Sequence, residues 1–257
     1  MRAWLERRWA TLMRQPAEAR LQVGQHGGIG LKRDGTAPAD CWPFGDASGV
    51  PGAEFSRHLD KLEQERTAVL ERDAGLKAGA LASVQMTAAE IFPVLRAIRA
   101  RPAGSLLVFG CGNDSPLWQK LNANGVTAFI EDDPAWAAAT RTRVADATVC
   151  VVRYGTKRRQ WRQMLRRPAM LAMDLPQEIR SRQWDIILVD GPAGYDDRRP
   201  GRMKSIYEAS RLVAADGKIF LHDAERDVES AYAGEYFRNA RPFVEVRGRA
   251  VMRGYAF

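Results

Sequence analysis

The sequence predicts an α/β protein: five parallel strands with helices on both faces, ending in a C-terminal antiparallel hairpin. Three observations predict it. From residue 105 onward, short apolar runs alternate with segments of helical spacing, the pattern of strand–helix–strand units. The first run, in "LLVFGCGNDSPLW" (106–118), ends in a bare glycine turn, which lets backbone approach a ligand at a strand end. The last two runs, "FVEVRG" (243–248) and "AVMRGYAF" (250–257), have no room for a crossover between them, so they must pair antiparallel.

The elements follow in order. Residues 1–22 read as a basic amphipathic helix with Trp4, Leu5, Trp9, Leu12 and Met13 near one face, suited to packing on the body or to a membrane surface or partner. Residues 24–53 are rich in Gly, Pro and Asp and should be loop. No strand pattern precedes the "GQHGGIG" within them, so it is not read as a phosphate loop. Residues 54–74 and 84–100 are helical, with Pro93 kinking the second helix or marking its start. The chain therefore divides into a helical and loop extension, residues 1–80, and a sheet domain, residues 81–257. Strands are expected at 106–110, 127–131, 147–154, 184–191, 217–223, 243–248 and 250–257. Helices fit at 115–123, 134–145, 157–167, 200–214 and 224–239. Five parallel strands ending in a hairpin is the pattern of a class I methyltransferase, a Rossmann-like sheet; a plain nucleotide-binding sheet would usually end in another helix and parallel strand.

Composition narrows the class. The 257 residues carry a net charge of +8, which biases partners towards anions: nucleic acid, an anionic membrane surface, acidic sugars or phosphates. Three cysteines, Cys41, Cys111 and Cys150, are far apart and in no CxxC spacing, which argues against a disulfide framework or a zinc site. No apolar run approaches the ~20 residues of a membrane span, and the charged N-terminus lacks the apolar core of a signal peptide. The expectation is a soluble, cytoplasmic protein.

The glycine turn points to a cofactor. Gly110 and Gly112 allow close approach, and Asn113 or Asp114 can begin the next helix. About 20 residues on, "TAFIEDDP" places Glu131 at the end of the second strand, where an acid can accept hydrogen bonds from both ribose hydroxyls. Asp132 and Asp133 then face solvent or cap the helix begun by Pro134. Dinucleotide binders favour a third glycine, and Ser115 and Pro116 occupy that region here. This disfavours NAD and suits S-adenosylmethionine.

The fourth and fifth strands carry candidate chemistry. "DIILVDGPAGY" ends in Asp190, a Gly-Pro turn and Tyr195. An acid leaving a buried strand faces the cleft, where it can orient a hydroxyl, accept its proton, hold a metal, or simply cap the turn. "FLHDAERD" places His222 and Asp223 at the same edge. Either His222 or Asp190 can serve as general base, and a divalent cation held by Asp190 and Asp223 is the rival arrangement. In "KRRQWRQMLRR" (157–167), six cations and Trp161 fall within eleven residues. On a helix, Arg158, Arg162 and Arg166 would share a face, either solvated or clamping an acidic acceptor while Trp161 stacks on a sugar. Arg198, Arg199 and Arg202 follow the Asp190 turn, and Arg202 is the candidate for an acceptor carboxylate.

Several spaced motifs together carry a resemblance. "LLVFGCGNDSPLWQKLNANGVTAFIEDDPAW", "WDIILVDGPAGY", "PGRMKSIYEA", "FLHDAERDVESAYAGEYF" and, upstream, "SVQMTAAEI" resemble the polysaccharide-biosynthesis methyltransferase family that includes glucuronoxylan 4-O-methyltransferases. The likeness spans roughly residues 83–257. It implies a class I fold, S-adenosylmethionine, and methyl transfer to a sugar hydroxyl, typically O-4 of glucuronic acid. By position it places Gly110, Gly112 and Asp114 in the cofactor turn, with Glu131 on the ribose. Asp190, Tyr195, Arg202, His222 and Asp223 fall in the acceptor half. The expected function is an O-methyltransferase acting on an acidic sugar or related anionic metabolite. Its rivals are an RNA or DNA methyltransferase using the basic segment, a non-catalytic cofactor-binding scaffold and, last, a nicotinamide dehydrogenase.

Overall fold

Strands β1 (Ser105–Phe109), β2 (Val126–Glu131), β3 (Thr148–Val151), β4 (Trp184–Val189), β5 (Val213–Leu221), β6 (Arg241–Arg247) and β7 (Val251–Ala256) form one sheet in the order β3-β2-β1-β4-β5-β7-β6. The computed structural model describes residues 52–145 and 147–257, so the expected helix over 1–22 and nearly all of the loop over 24–53 lie outside the described residues. The first five strands pair in parallel, while β7 runs antiparallel to β5 and β6 antiparallel to β7. This is the class I methyltransferase sheet, with the hairpin that the spacing of the last two runs demands.

The chain divides after Glu65, and Arg66–Phe257 is the second, compact unit. Helix α1 (Gly52–Asp73) contributes its last residues to the second unit, where Leu70 is fully buried and Glu71 accepts hydrogen bonds from the Gly79 and Leu81 amides. Helix α2 (Ala88–Ala100) begins at Thr87, not at Pro93: Thr87 and Glu90 form a reciprocal capping box that starts the helix upstream. Pro93 sits inside, at the expense of one helical hydrogen bond. The sheet is flanked further by α3 (Ser115–Leu121), α4 (Pro134–Arg141), α5 (Trp161–Leu165), α6 (Gln177–Arg180), α7 (Met203–Leu212) and α8 (Asp227–Tyr236).

The core explains why the central strands read as unbroken apolar runs. Every residue of β1 is buried, as are Ile186 to Val189 of β4, because helices cover both faces. Phe109, Trp118, Phe129, Trp184 and Phe220 are fully buried or nearly so, each contributing roughly 1.5–3 kcal/mol of apolar burial.

Two expectations change. The basic segment is not one helix over 157–167: a 3₁₀ turn, Arg158–Gln160, leads into the five-residue α5. The reason is outside the segment, where the Arg158 and Arg159 amides donate to the carbonyls of Arg199 and Asp197. Arg158 pairs with Asp197 and Arg162 lies over the Trp161 ring, so no continuous arginine face forms. Secondly, β4 and β5 stop at Val189 and Leu221, placing Asp190, His222 and Asp223 just beyond the strands, free of their alternation.

Strand order positions the site. Past the strand ends, Gly110 N–H donates to Ile130 O (2.8 Å), Asp190 N–H to Phe109 O (3.0 Å) and His222 N–H to Val189 O (3.1 Å). The backbone ladder thus sets Glu131, Gly110, Asp190 and His222 side by side, although they are remote in sequence.

Candidate active site

At this edge lies a cleft of about 720 Å³, within the range of small-molecule sites. Its walls include Gly110, Gly112, Asp114, Glu131, Asp190, Tyr195, Arg202, His222 and Asp223. Of the site residues expected from sequence, only Trp161 is elsewhere. It packs against the hydrophobic core, and its carbonyl accepts from the Tyr232 hydroxyl, so it offers no ring to a ligand in the cleft.

One half of the cleft is held by backbone. Gly110 adopts φ +108°, in the region that favours glycine, and a Cβ there would meet the backbone of Asp190 and Gly191 at 3.2–3.3 Å. Gly191 returns the constraint, since its own Cβ would fall 2.7 Å from Gly110 Cα. Two glycines in contact are what bring the first turn against the Asp190 turn. Glu131, 8% exposed, accepts from the amides of Cys111 (2.6 Å), Asp132 (2.8 Å) and Asp133 (2.8 Å). Burial outweighs these hydrogen bonds and raises its pKa. Asp133 caps α4 through the Ala135 and Trp136 amides.

Asp114 accepts from the Trp118 indole N–H at 2.8 Å. Desolvation, with repulsion from Asp190, pushes its pKa up to about 6. Asp114, Glu131, Asp132 and Asp133 line this half, with Arg199 the cation closest in charge coupling to Asp132. That charge suits a sulfonium cofactor and opposes the pyrophosphate of a dinucleotide. The residues present fit S-adenosylmethionine: a glycine cradle, an acid at the second strand end, and a carboxylate surplus facing a cationic ligand.

The other half is held by side-chain charges. Arg202 is 5% exposed and lies between two carboxylates, 3.0 Å from Asp190 Oδ1 and 2.7 Å from Asp223 Oδ2. It also donates to the carbonyls of Asp190 and His222. Arg202 is therefore not available to an acceptor carboxylate; it is the internal cation of the cluster. Asp223, at φ +58° in the left-handed region, carries backbone strain of about 1 kcal/mol and also pairs with Arg226 at 2.8 Å.

His222 lies between acids. Nδ1 approaches Asp190 Oδ1 at 2.8 Å, a bent ion-pair contact, and Nε2 lies 3.2 Å from Glu90 Oε1. Desolvation disfavours the imidazolium, but the carboxylates of Asp190 and Glu90 outweigh it and push the pKa up to about 10. His222 is thus charged at neutral pH and has no free lone pair to act as base. Burial alone would raise Asp190, yet His222 and Arg202 hold it below its usual range. Its Oδ1 takes both of these cations, leaving Oδ2 without a protein partner among the described residues.

Glu90 is the residue that sequence reasoning missed. Fully buried on α2, it accepts from the Thr87 amide and hydroxyl, the Ala250 amide and His222. Burial opposes its charge, but these donors lower its pKa. The capping-box spacing in "TAAE" was a visible signal for the helix start; nothing local announced the histidine.

Asp190, His222 and Asp223 can bring ligand atoms within 4.8 Å of one another, a spacing open to a metal. As arranged, however, the guanidinium of Arg202 already bridges the carboxylates and His222 is protonated, so a divalent ion would have to displace both. The trio does not present an open cation site.

Fold and cleft define a class I, S-adenosylmethionine-binding methyltransferase fold. Residues 89–173 and 167–251 match the IRX15/IRX15L/GXM family, and the chain belongs to it. Arabinogalactan O-methyltransferase 2 of Arabidopsis thaliana is similar at 33% identity, over 59% of this chain and 61% of its own length. Glucuronoxylan 4-O-methyltransferase 2 of the same plant is 31% identical over 58% of this chain and 59% of its own. Protein IRX15-LIKE, also from Arabidopsis thaliana, is 35% identical over 57% and 53%. The matches thus span less than two thirds of these relatives. Among solved structures, an O-methyltransferase from Bacillus cereus in complex with SAH is similar at 12% identity and a TM-score of 0.44, over 76% of this chain and 90% of that one. Among the described residues, no helix is long and apolar enough to cross a membrane.

Proposed function

We propose that this protein is an S-adenosylmethionine-dependent O-methyltransferase whose acceptor is a hydroxyl on an acidic, glucuronate-type unit of a glycan. The observation that carries the reading is Asp190 Oδ2, a carboxylate oxygen with no partner among the described residues, in the cleft that also holds the glycine turn and Glu131. The relatives named for glucuronoxylan and arabinogalactan O-methylation support the choice of a glycan acceptor.

Bound S-adenosylmethionine supplies a methyl group on a sulfonium, poised for in-line displacement. Gly110, Gly112 and Glu131 would hold that cofactor, Glu131 through its ribose hydroxyls, and Asp114 would favour its positive charge. Asp190 Oδ2 would accept the proton of an acceptor hydroxyl placed in this cleft as that hydroxyl took the methyl group, the sulfonium leaving as a neutral thioether. A low-pKa carboxylate suffices, because the hydroxyl becomes strongly acidic as its oxygen bonds to carbon. His222 and Arg202 fix Oδ1 and so aim the other oxygen. Alignment supplies most of the acceleration. Tyr195, 64% exposed at the cleft, offers a ring to the sugar.

Titration calorimetry with S-adenosylmethionine and its demethylated product tests the cofactor: micromolar binding by the wild type is expected, weakened at least ~10-fold in Glu131→Ala, which loses a charge-assisted contact worth ~1.5–3 kcal/mol. Labelled methyl transfer to glucuronoxylan oligosaccharides then tests the acceptor. Absence of cofactor binding by folded, cofactor-free protein would sink the reading. Cofactor binding with methylation of RNA instead, falling steeply with salt, would transfer the activity to nucleic acid.

A further inference from the structure

Four arginines line the cleft: Arg199, Arg202, Arg226 and Arg249. Arg202 is bound to Asp190 and Asp223, and Arg226 to Asp223. Arg199 lies 5.0 Å over the Tyr195 ring and 3.8 Å from Asp196. Arg249 is exposed and has no acidic partner among the described residues. A cation in a cleft lined by carboxylates, yet paired with none of them, is open to a ligand's charge.

Its backbone is held in place. Arg249 occupies the turn between β6 and β7, closed by a 2.9 Å hydrogen bond from Gly248 N–H to Ala250 O. On one side the Ala250 amide donates to Glu90 Oε1 at 2.9 Å, the same oxygen that meets His222 Nε2. On the other, the Val251 amide donates to Glu225 Oε2 at 3.0 Å, and Val251 O accepts from Ala224 N–H. Gly248 presses so closely on the cap of α2 that a Cβ would lie 2.6 Å from the Glu90 carboxyl carbon. The hairpin tip is therefore clamped to the two acids flanking the His222 segment. Glu90 spends both oxygens on the Thr87 and Ala250 amides, the Thr87 hydroxyl and His222, Glu225 gives Oε2 to the Val251 amide, and among the described residues neither forms an ion pair with Arg249.

We propose that Arg249 reads the carboxylate of the acceptor, the role for which sequence favoured Arg202. The inference rests on the proposed function and deepens it: the acceptor is an acidic sugar because the hairpin tip brings to the cleft a guanidinium that pairs with no acid among the described residues. A guanidinium and a sugar carboxylate can pair through two parallel N–H···O bonds, which orients the ring as well as holding it. Clamping by Glu90 ties the register of that carboxylate to the His222–Asp190 pair, where the hydroxyl must lose its proton.

The test compares two acceptors on the full chain: a glucuronic-acid-bearing xylo-oligosaccharide, and the same oligosaccharide with its carboxyl reduced to an alcohol. For the acidic acceptor, Arg249→Gln is expected to raise KM roughly 10- to 100-fold, as loss of a charge-assisted pair implies, with Arg249→Lys recovering part of it. For the reduced acceptor, wild type and Arg249→Gln should have matching KM values. Cofactor affinity, measured by calorimetry, checks that the variant still folds around its ligand. Equal losses on both acceptors, or none on either, overturn the role of Arg249 while leaving the methyltransferase reading intact. Cofactor binding by the wild type without turnover of either acceptor overturns the proposed acceptor and this inference together.

Discussion

The two halves of the cleft are preorganised by different means. The cofactor half is built from neighbours: Glu131 accepts the amides of the two residues that follow it and of Cys111 in the adjoining turn. The acceptor half is built from strangers: His222 meets Glu90 across 132 residues, and Arg202 reaches Asp190 and Asp223 from the start of α7. Backbone amides do not titrate, whereas carboxylates, imidazole and guanidinium depend on one another's charge. The first half should therefore vary with pH only through its own acids, Asp114 with a pKa of about 6 foremost, and fail when Glu131 or the glycines are lost. The second should respond to any change of charge within it.

The largest effect should follow from Asp190→Asn. It keeps the shape of the side chain and removes the proton acceptor, so kcat is expected to fall about 10²–10⁴-fold. Cofactor binding should change by only a few fold, because Glu131 and the glycine turn are untouched. Initial rates and calorimetry on the same preparation separate the two, and comparable losses in both would erase the division between the halves.

Next in size is Glu90→Gln. Breaking a buried ion pair by removing one partner costs about 3–5 kcal/mol, to be read from denaturant unfolding at neutral pH. The pH dependence has a defined sign. With His222 raised from 6.5 to about 10, its contribution to stability is fully present below 6.5 and fades as pH rises through about 10. Removing the Glu90 charge lowers that upper limit, so the variant should lose its His222 contribution at a lower pH than the wild type. Titration of the His222 ring by NMR checks this directly; an unmoved midpoint would deny Glu90 its electrostatic role.

The smallest effect should come from Asp114→Asn. Asp114 titrates at about 6 in the free protein, and the cationic cofactor favours its carboxylate. Affinity for S-adenosylmethionine should accordingly strengthen as pH rises through 6, on the order of three- to ten-fold for one partly screened charge pair. In the variant the dependence should flatten. A wild-type affinity that is constant across that range would place Asp114 away from the cofactor's charge.

These contrasts bear on what could be read in advance. The strands, the hairpin and the glycine turn were legible because each leaves a short-range mark: apolar runs of strand length, a missing crossover, Gly110 and Gly112 where a side chain cannot fit. The placement of Asp190, His222 and Asp223 in one cleft followed from strand ends sharing an edge. Their roles did not follow. Arg202 looked like a substrate clamp because it follows the Asp190 turn at the expected cleft, yet in space it is bound to Asp190 and Asp223. Trp161 looked like a stacking platform because the basic run seemed one helix. The amides of Arg158 and Arg159 bind the 197–199 segment instead and break that helix, while the ring settles on the core.

Sequence alone determined the parallel sheet with its closing hairpin and the cofactor turn, since hydrophobic period, glycine and turn length act over a few residues. Only the tertiary structure decided which charges meet. It made His222 an imidazolium between two acids and spent Arg202 on Asp190 and Asp223, while among the described residues one oxygen of Asp190 and the Arg249 guanidinium have no partner. Protonation and pairing depend on burial and on charges a few ångströms away, and residues brought that close by the fold can lie more than a hundred positions apart in the chain.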